Sequence, residues 1–279
     1  MTIRDKSSAN AIPPFLRWAG SKRQLLPTLG SYWPSSALRY VEPFAGSAAL
    51  FFHLAPRRAL LGDTNLELIS TYRQVRRHPR AVAAALAKLK KGRLSYTRLR
   101  GLDPSDLDPI DGAARFIFLN RYSFNGLYRT NRAGRFNVPY GGGRTGALPP
   151  LSRLAECARL LRSASLVCAS FQITLEQARP GDFAYLDPPY YVNSRRVFRE
   201  YDPSGFDALC VRTLRQWLLK LDRANIPFLL SYADSEEAHL LRKGFHSTSV
   251  PVRRNIAGFA SGRKVATELL ITNSPPQAG

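Results

Sequence analysis

The sequence predicts an α/β protein built on an open, mostly parallel sheet that carries a helical, loop-rich insertion. Three observations point there. Short apolar runs alternate with stretches of helical periodicity toward both ends of the chain. Three of those runs end in an acid or a Pro/Gly turn, where a chain leaves a sheet. Between them lies "ARFIFLNRYSFNGLYRTNRAGRFNVPYGGGRTGALPP" (114–150), rich in Arg, Asn, Gly and aromatics, with little regular structure expected after its first helix.

The elements follow in order. "LRYVEPF" (38–44) is a strand leaving into a turn, and "SAALFFHL" (47–54) is helical. "RALLGD" (58–63) is a second strand, followed by helical "LELISTYRQV" (66–75) and "RAVAAALAKLKK" (80–91). Past Pro150, "LSRLAECARLLR" (151–162) is helical, and "SLVCAS" (165–170) and "FAYLD" (183–187) are strands. "GFDALCVRTLRQWLLKLDRA" (205–224) is an amphipathic helix with Phe206, Cys210, Trp217, Leu218 and Leu221 near one face. "FLLSYA" (228–233), "FHSTSVPV" (245–252) and "VATELLIT" (265–272) complete the strands. Residues 1–65 and 150–279 thus form one α/β domain, and 66–149 an insertion into it.

Lys and Arg number 41 against 20 Asp and Glu, a formal net charge of +21 that favours a polyanionic partner over a mere solubility device. Cys157, Cys168 and Cys210 are widely spaced and form no CxxC, so they are expected to be reduced, buried core residues in a cytoplasmic protein. His53, His78, His239 and His246 share no ligand spacing, so no metal is expected. The N-terminus lacks a secretory apolar core, and no apolar run is long enough for a membrane span.

In open α/β sheets ligands sit beyond the carboxyl ends of strands. In "VEPFAGSAAL", Gly46 stands where strand becomes helix and lets backbone approach a ligand. The stretch has neither GxGxxG nor GK[ST], so a nucleoside cofactor without a pyrophosphate fits it better than a dinucleotide. Asp63, ending the next strand, is either an acceptor for ribose hydroxyls or a cap for the helix starting near Asn65. The third strand end, "YLDPPYY", holds an acid, two prolines and an aromatic together. The prolines fix φ and remove donors. The carboxylate of Asp187 and the carbonyl of Pro188 make two rigid acceptors suited to an NH2 group, and Tyr190 offers a face for a flat ring. That set fits the exocyclic amine of a base.

The ordered segments "FLRWAGSK" (15–22), "VEPFAGSAALFF" (41–52), "GDTNLELISTY" (62–72), "LNRYSFNGLYRTNRAGRFNVPYG" (119–141), "YLDPPY" (185–190) and "RKVATELLITN" (263–273) span nearly the whole chain. In this order they resemble the Dam-type (D12 class) DNA adenine-N6 methyltransferases, which use S-adenosylmethionine on a Rossmann-like methyltransferase sheet. The resemblance implies that Trp18, Lys22, Phe44, Ala45, Gly46, Asp63 and Asp187 line the cofactor site, and that Asp187, Pro188, Pro189 and Tyr190 hold the target adenine. It implies base reading by Arg17, Leu127, Arg129 and Pro139, and filling of the flipped base's space by Phe124 and Asn125. Arg132 is then a phosphate contact. Relatives with such segments methylate adenine in GATC or in longer sites beginning GAT. Two departures stand out: the family's turn usually has a second glycine where this chain has Ala48, and it often has Ser-Asn where this chain has Ser231-Tyr232.

The residues and the resemblance agree on one reaction. Two acceptors on the amine hydrogens localise the N6 lone pair toward a methyl group on a sulfonium, and direct displacement follows by positioning and electrostatics. Cytosine carbon methylation needs a nucleophilic cysteine, often after proline, and none of the three follows a proline. The base must leave duplex DNA to be reached. From Asp111 to Glu156 no acid intervenes, while Arg115, Arg121, Arg129, Arg132, Arg135, Arg144 and Arg153 interleave with Tyr122, Phe124, Tyr128, Phe136 and Tyr140, as in a nucleic-acid contact. "PVRRNIAGFASGRKV" (251–265) is a second basic stretch, either a loop closing on DNA or an exposed hairpin tip. The competing readings are methylation of RNA adenine, or a DNA-binding relative impaired in catalysis; Asp187 disfavours protein-amide methylation, which tends to use Asn there. A cognate restriction endonuclease acting separately is compatible with the sequence.

Overall fold

The computed structural model describes residues 11–131, 133–190, 206–253 and 265–274. Seven strands form one sheet: β1 (Arg39–Glu42), β2 (Ala59–Asp63), β3 (Ala164–Cys168), β4 (Asp182–Leu186), β5 (Phe228–Ala233), β6 (His246–Arg253) and β7 (Val265–Thr272). Their order is β3-β2-β1-β4-β5-β7-β6. The first five in that order pair in parallel, and β7 runs antiparallel between β5 and β6. The sheet is therefore mostly parallel and Rossmann-like. Strand order reverses between β1 and β4, where Val41 lies between Leu60 and Ala184. That reversal opens the crevice in which such sheets bind ligands.

Period-two alternation assigns the strand side chains to two cores. Tyr40, Leu61, Phe183, Tyr185 and Leu229 share one buried cluster, and Val41, Leu60, Ala184, Leu186 and Leu230 the other. The central strands are buried on both faces, which explains their nearly continuous apolar sequences.

The helices are α1 (Leu26–Gly30), α2 (Ala49–Leu54), α3 (Leu66–Arg77), α4 (Pro79–Ala87), α5 (Arg93–Gly101), α6 (Pro109–Tyr122), α7 (Leu151–Leu161), α8 (Phe171–Leu175), α9 (Ala208–Arg223) and α10 (Glu236–Leu241). Asn65 caps α3 and Asp108 caps α6, each accepting from a first-turn N–H, and Asp207 does the same for α9. Helix α6 is buried continuously from Ala113 to Asn120. It lies among α3, α4 and α5, and Tyr72, Val82, Tyr96 and Phe118 join the same cluster as Tyr40 and Phe183. Residues 66–149 thus share a core with one face of the sheet, and after α6 the described ones among them contain only single 3₁₀ turns and isolated bridges.

Some expectations need correction. The buried stripe of α9 is Val211, Leu214, Leu218 and Leu221, while Phe206, Cys210 and Trp217 are only partly buried. The large aromatic and the thiol bias a face that the 3.6-residue period alone places one step away. Of the cysteines only Cys157 is buried, and Cys168 is exposed. Helices α1, α5, α8 and α10 are unforeseen; three have five or six residues, too short for a periodic signal, and α5 is largely polar.

Candidate active site

The carboxyl ends of β2, β1 and β4 lie side by side, so the three singled-out strand ends meet. The turn after β1 is held by Asp63: its Oδ2 accepts from the Gly46 N–H at 3.0 Å and its Oδ1 from the Asn65 N–H at 2.9 Å. Asn65, not Asp63, caps α3. Asp63 therefore clamps two backbone donors at the site, and burial pushes its carboxyl above the usual range against the pull of those donors. The Tyr72 hydroxyl donates to the Gly46 carbonyl at 2.6 Å. Gly46 has φ +45°, and a Cβ there would lie 2.8 Å from Trp18 Nε1, so Trp18 covers the turn closely. Ala48 adopts φ +50°, the left-handed region that favours glycine, which accounts physically for a glycine at this place in related turns. Phe44 stacks on Phe171 at 5.2 Å and meets Phe206 edge-on. Ala45 is buried and its N–H donates to Gly62 across the strand ends.

Asp187 leaves β4 directly into a charged cluster. Its Oδ1 accepts from Lys22 Nζ at 2.7 Å and from the Ser231 hydroxyl at 3.1 Å. Lys22 Nζ also donates to the Tyr190 hydroxyl at 2.8 Å and lies 3.4 Å from Glu268 Oε1. The Tyr190 hydroxyl donates onward to Glu268 Oε1 at 2.8 Å. Lys22, Ser231 and Glu268 are all buried. Burial disfavours the Lys22 cation, yet Asp187, Tyr190 and Glu268 outweigh it and hold its pKa above the ordinary value. Burial pushes the Asp187 carboxyl up, and Lys22 opposes that shift. Glu42, buried at the end of β1, is pushed well above the carboxylate range by burial, despite an opposing Tyr40 hydroxyl, with Asp187 and Asp63 adding to the shift. Pro188 is buried and Pro189 exposed. Tyr232 packs edge-on against the Tyr190 ring at 5.3 Å, so the aromatic that replaces the usual Asn supports the other aromatic.

Sequence reasoning missed Glu268, and it noted Glu42 as a strand-end residue and Ser231 beside Tyr232 without giving either a role at the site. Glu268 had a signal, a lone acid inside the apolar strand "VATELLIT". Its partners Lys22 and Tyr190 come from the other end of the chain and from the adjoining loop, and only the fold joins them.

A second group of predicted residues gathers beyond α6. The Arg17 N–H donates to Asn120 Oδ1 at 2.9 Å, and Asn120 Nδ2 returns a bond to the Arg17 carbonyl at 2.6 Å. Gly126 (φ +67°) approaches so closely that a Cβ there would lie 2.9 Å from the Arg17 Cβ. Phe124 and Leu127 are each 38% exposed, unusual for large apolar side chains, and they flank Asn125, also exposed, at φ +54°. The Phe124 N–H donates to the Pro139 carbonyl at 2.9 Å, which brings exposed Pro139 beside them. Arg129 Nε donates to Asn137 Oδ1 at 2.8 Å, holding the guanidinium against the next strand-like segment. Arg23 and Arg121 crowd Arg17; burial first, and then neighbouring guanidinium charges, push both below their ordinary pKa. Arg23 was not foreseen. Arg132 and residues 254–264 of the second basic stretch lie outside the described residues.

The arginine count overstates this surface. Arg115 is buried, paired with Glu67 Oε2 at 2.7 Å and donating to the carbonyls of Leu99 and Leu102. Tyr122 and Phe136 are buried as well. These residues build the insertion's core, because an irregular segment must still bury apolar area somewhere. An open cleft of about 1100 Å³ runs from the end of β2 along α3 into the insertion, lined by Trp18, Asp63, Glu67, Tyr128, Arg129 and Arg135 among others, while Gly46 and Asp187 do not line it. Among the described residues no group of three or more His, Cys, Asp or Glu is placed to hold a metal, and no helix is long and apolar enough to cross a membrane.

A carboxylate and two prolines at the switch point of such a sheet, beside a glycine turn, define the class of cofactor-dependent enzymes that act on amines. The comparisons with known proteins make this particular: residues 18–256 match the model of the D12 class N6 adenine-specific DNA methyltransferases, and the chain belongs to that family. It is 33% identical over 282 residues to the type II methyltransferase M1.LlaDCHI of Lactococcus lactis subsp. cremoris, covering 98% of this chain and 99% of the relative. It is 30% identical over 286 residues to the type II methyltransferase M.MjaIII of Methanocaldococcus jannaschii, covering 94% and 99%. The DNA adenine methylase of Escherichia coli K12 is 30% identical over 269 residues, covering 94% and 95%. The protein is thus a DNA adenine methyltransferase, an enzyme whose family uses S-adenosylmethionine as methyl donor.

Proposed function

We propose that the enzyme methylates N6 of an adenine flipped out of duplex DNA, within a site containing GAT and most simply GATC. The observation that carries the catalytic part is the polarity of Asp187. Among the described residues its hydrogen bonds fall on Oδ1, from Lys22 and Ser231. Those two donors orient the carboxylate, leaving Oδ2 as acceptor for one amine hydrogen and the Pro188 carbonyl for the other.

The strand-end residues fit the methyl donor. The Gly46 turn lies close under Trp18, with Phe44 and Ala45 before it in the chain and Asp63 bonded to it, and Lys22 pairs with Asp187 at the neighbouring strand end. When bound there, S-adenosylmethionine supplies a methyl group on a sulfonium, an activated electrophile. Asp187 and Pro188 draw the amine hydrogens out of conjugation so that the lone pair faces that group. Transfer would form the N6–C bond as the sulfonium S–C bond breaks, leaving the thioether, and the proton that N6 loses would pass to Asp187, made more basic by burial. Tyr190 and Pro189 border the base, with Tyr190 fixed by Lys22 and Glu268. On this reading residues 1–65 and 150–279 form the catalytic part and 66–149 the target-recognition part, with α3 packed against both. Arg17, Leu127, Arg129 and Pro139 read bases, Phe124 and Asn125 fill the vacated stack, and Arg132 contacts phosphate. The GAT assignment rests on the "NGLYRTN" and "FNVPYG" segments. Two relatives named type II methyltransferases support a cognate endonuclease acting separately, and a DNA substrate supports a cytoplasmic location.

The test is incubation of the purified protein with S-adenosylmethionine and matched duplex DNA or RNA, followed by nucleoside mass spectrometry. N6-methyladenine in DNA alone is expected. Methylation of RNA in preference, or of neither polymer, contradicts the proposal.

A further inference from the structure

We propose that Tyr128 is a positioning residue that couples occupancy of the cofactor turn to base reading by the flanking arginines. The inference rests on the function proposed above. Its basis is one stacked pair. Trp18 and Tyr128 stack with ring centroids 6.0 Å apart and planes 11° from parallel. Each is a direct chain neighbour of an arginine assigned to base reading, Arg17 before Trp18 and Arg129 after Tyr128.

The pair is fixed on three sides. Toward the cofactor turn, Trp18 sits on Gly46 with no room for a Cβ between them, so the turn and the indole move together. Toward the insertion, the Tyr128 hydroxyl donates to Glu67 Oε1 at 3.2 Å, and Glu67 Oε2 pairs with buried Arg115. Arg115 in turn donates to backbone carbonyls at the end of α5, so it is anchored to helix rather than to solvent. Toward the reading surface, the Tyr128 ring packs on Phe116 and Phe136, and Phe136 bridges back to Thr130, next to Arg129. Glu67 itself follows Asp63 by four residues, in the first turn of the helix that Asp63 helps to start.

Packed groups of this kind are bistable rather than continuously deformable, so a displacement at Gly46 reaches Arg17 and Arg129 through the stack. A static strut would stabilise the fold without changing discrimination. Coupling predicts more: cofactor and cognate DNA must each tighten the other by the same factor.

The experiment measures duplex affinity by fluorescence anisotropy with and without S-adenosylhomocysteine. It uses the site identified by methylation mapping and the same duplex with one base changed. Calorimetry of S-adenosylhomocysteine with and without the cognate duplex gives the reciprocal factor. In the wild type both factors should agree and be at least about fivefold, larger for the cognate duplex than for the altered one. Tyr128→Leu should reduce the factor to near unity while the folded protein still binds each ligand. Tyr128→Phe, which keeps the ring and loses the bond to Glu67, should show an intermediate factor and decides the matter if Tyr128→Leu fails to fold. A wild type that binds both ligands independently overturns this inference alone, as does a wild-type factor in Tyr128→Leu or, where that variant does not fold, in Tyr128→Phe. A wild type that binds neither ligand overturns the proposed function as well.

Discussion

The strand-end site and the arginine-rich surface beyond α6 are built by opposite means. Around Asp187, charge is paired and buried: Lys22 lies between Asp187 and Glu268, and Tyr190 and Ser231 complete the bonds. Around Arg17, positive charge is crowded, with the guanidinium groups of Arg17, Arg23 and Arg121 held by the backbone carbonyls of Arg121, Leu16 and Ala147. The first arrangement fixes one carboxylate orientation without outside help. The second concentrates positive charge. If these regions act as proposed, substitutions should fall into two groups: those that change how fast methyl is transferred, and those that change where.

The largest effect is expected at Asp187. Asp187→Ala removes an acceptor used in the transition state and should slow single-turnover methylation by at least roughly a hundredfold. Duplex affinity by anisotropy should change little; a joint fall in rate and affinity would merge the two regions. Asp187→Asn should be milder but still defective, because only one of its atoms accepts.

Lys22→Met sharpens the electrostatic half. Burial raises the Asp187 pKa and Lys22 lowers it, so removing the cation raises it further. The carboxylate must be ionised to act, so activity is lost as pH falls through this pKa. The acid limb of the single-turnover profile should therefore move to higher pH in Lys22→Met. A limb that stays put or moves to lower pH would show that Asp187 is not the titrating group.

Asp63 should read out twice. Its two oxygens satisfy two backbone donors, and leaving such a donor unpaired costs about 1–3 kcal/mol. Asp63→Ala should lower Tm and also raise the apparent KM for S-adenosylmethionine. An unchanged KM in the folded fraction would leave Asp63 a purely structural clamp.

On the reading side, DNA affinity should fall with salt at a log–log slope of about −0.9 per phosphate neutralised, and Arg121→Ala should flatten it by about one such contact. A slope near zero would remove electrostatic docking from the account. The smallest effect is expected from Ala48→Gly. It relieves a left-handed alanine at roughly 1–2 kcal/mol, offset in part by glycine's greater unfolded-state freedom, so a gain of up to about 1 kcal/mol should appear as a raised Tm. A fall in Tm would show that the Ala48 methyl packing outweighs the strain.

The same division governs what the sequence discloses. Strand ends were legible because their signals are local: an apolar run, then Asp187 and two prolines, or Gly46 at a strand–helix junction. The partners of Asp187 carry no local signal: the resemblance alone placed Lys22 at the same site, and Ser231 meets Asp187 through the pairing of neighbouring strands. Arg115 misled for the same reason. The acid nearest it in sequence, Asp111, is not its partner, which is Glu67, in a helix 48 residues earlier. Tyr122 and Phe136 read as nucleic-acid aromatics by context and proved to be core, whereas Phe124 and Leu127 are exposed. Composition singled out the arginine-rich segment but could not sort its members by burial.

The most direct test is methylation-aware long-read sequencing of plasmid from cells producing the wild type, Asp187→Asn or Arg129→Ala. The account predicts modified adenines confined to one GAT-containing site in the wild type. It predicts the same site at lower extent in Asp187→Asn, and relaxation at one position in Arg129→Ala, worth about 1–3 kcal/mol of discrimination there. Modified adenines scattered without GAT context, a changed site in Asp187→Asn, or an Arg129→Ala site identical to wild type would contradict it.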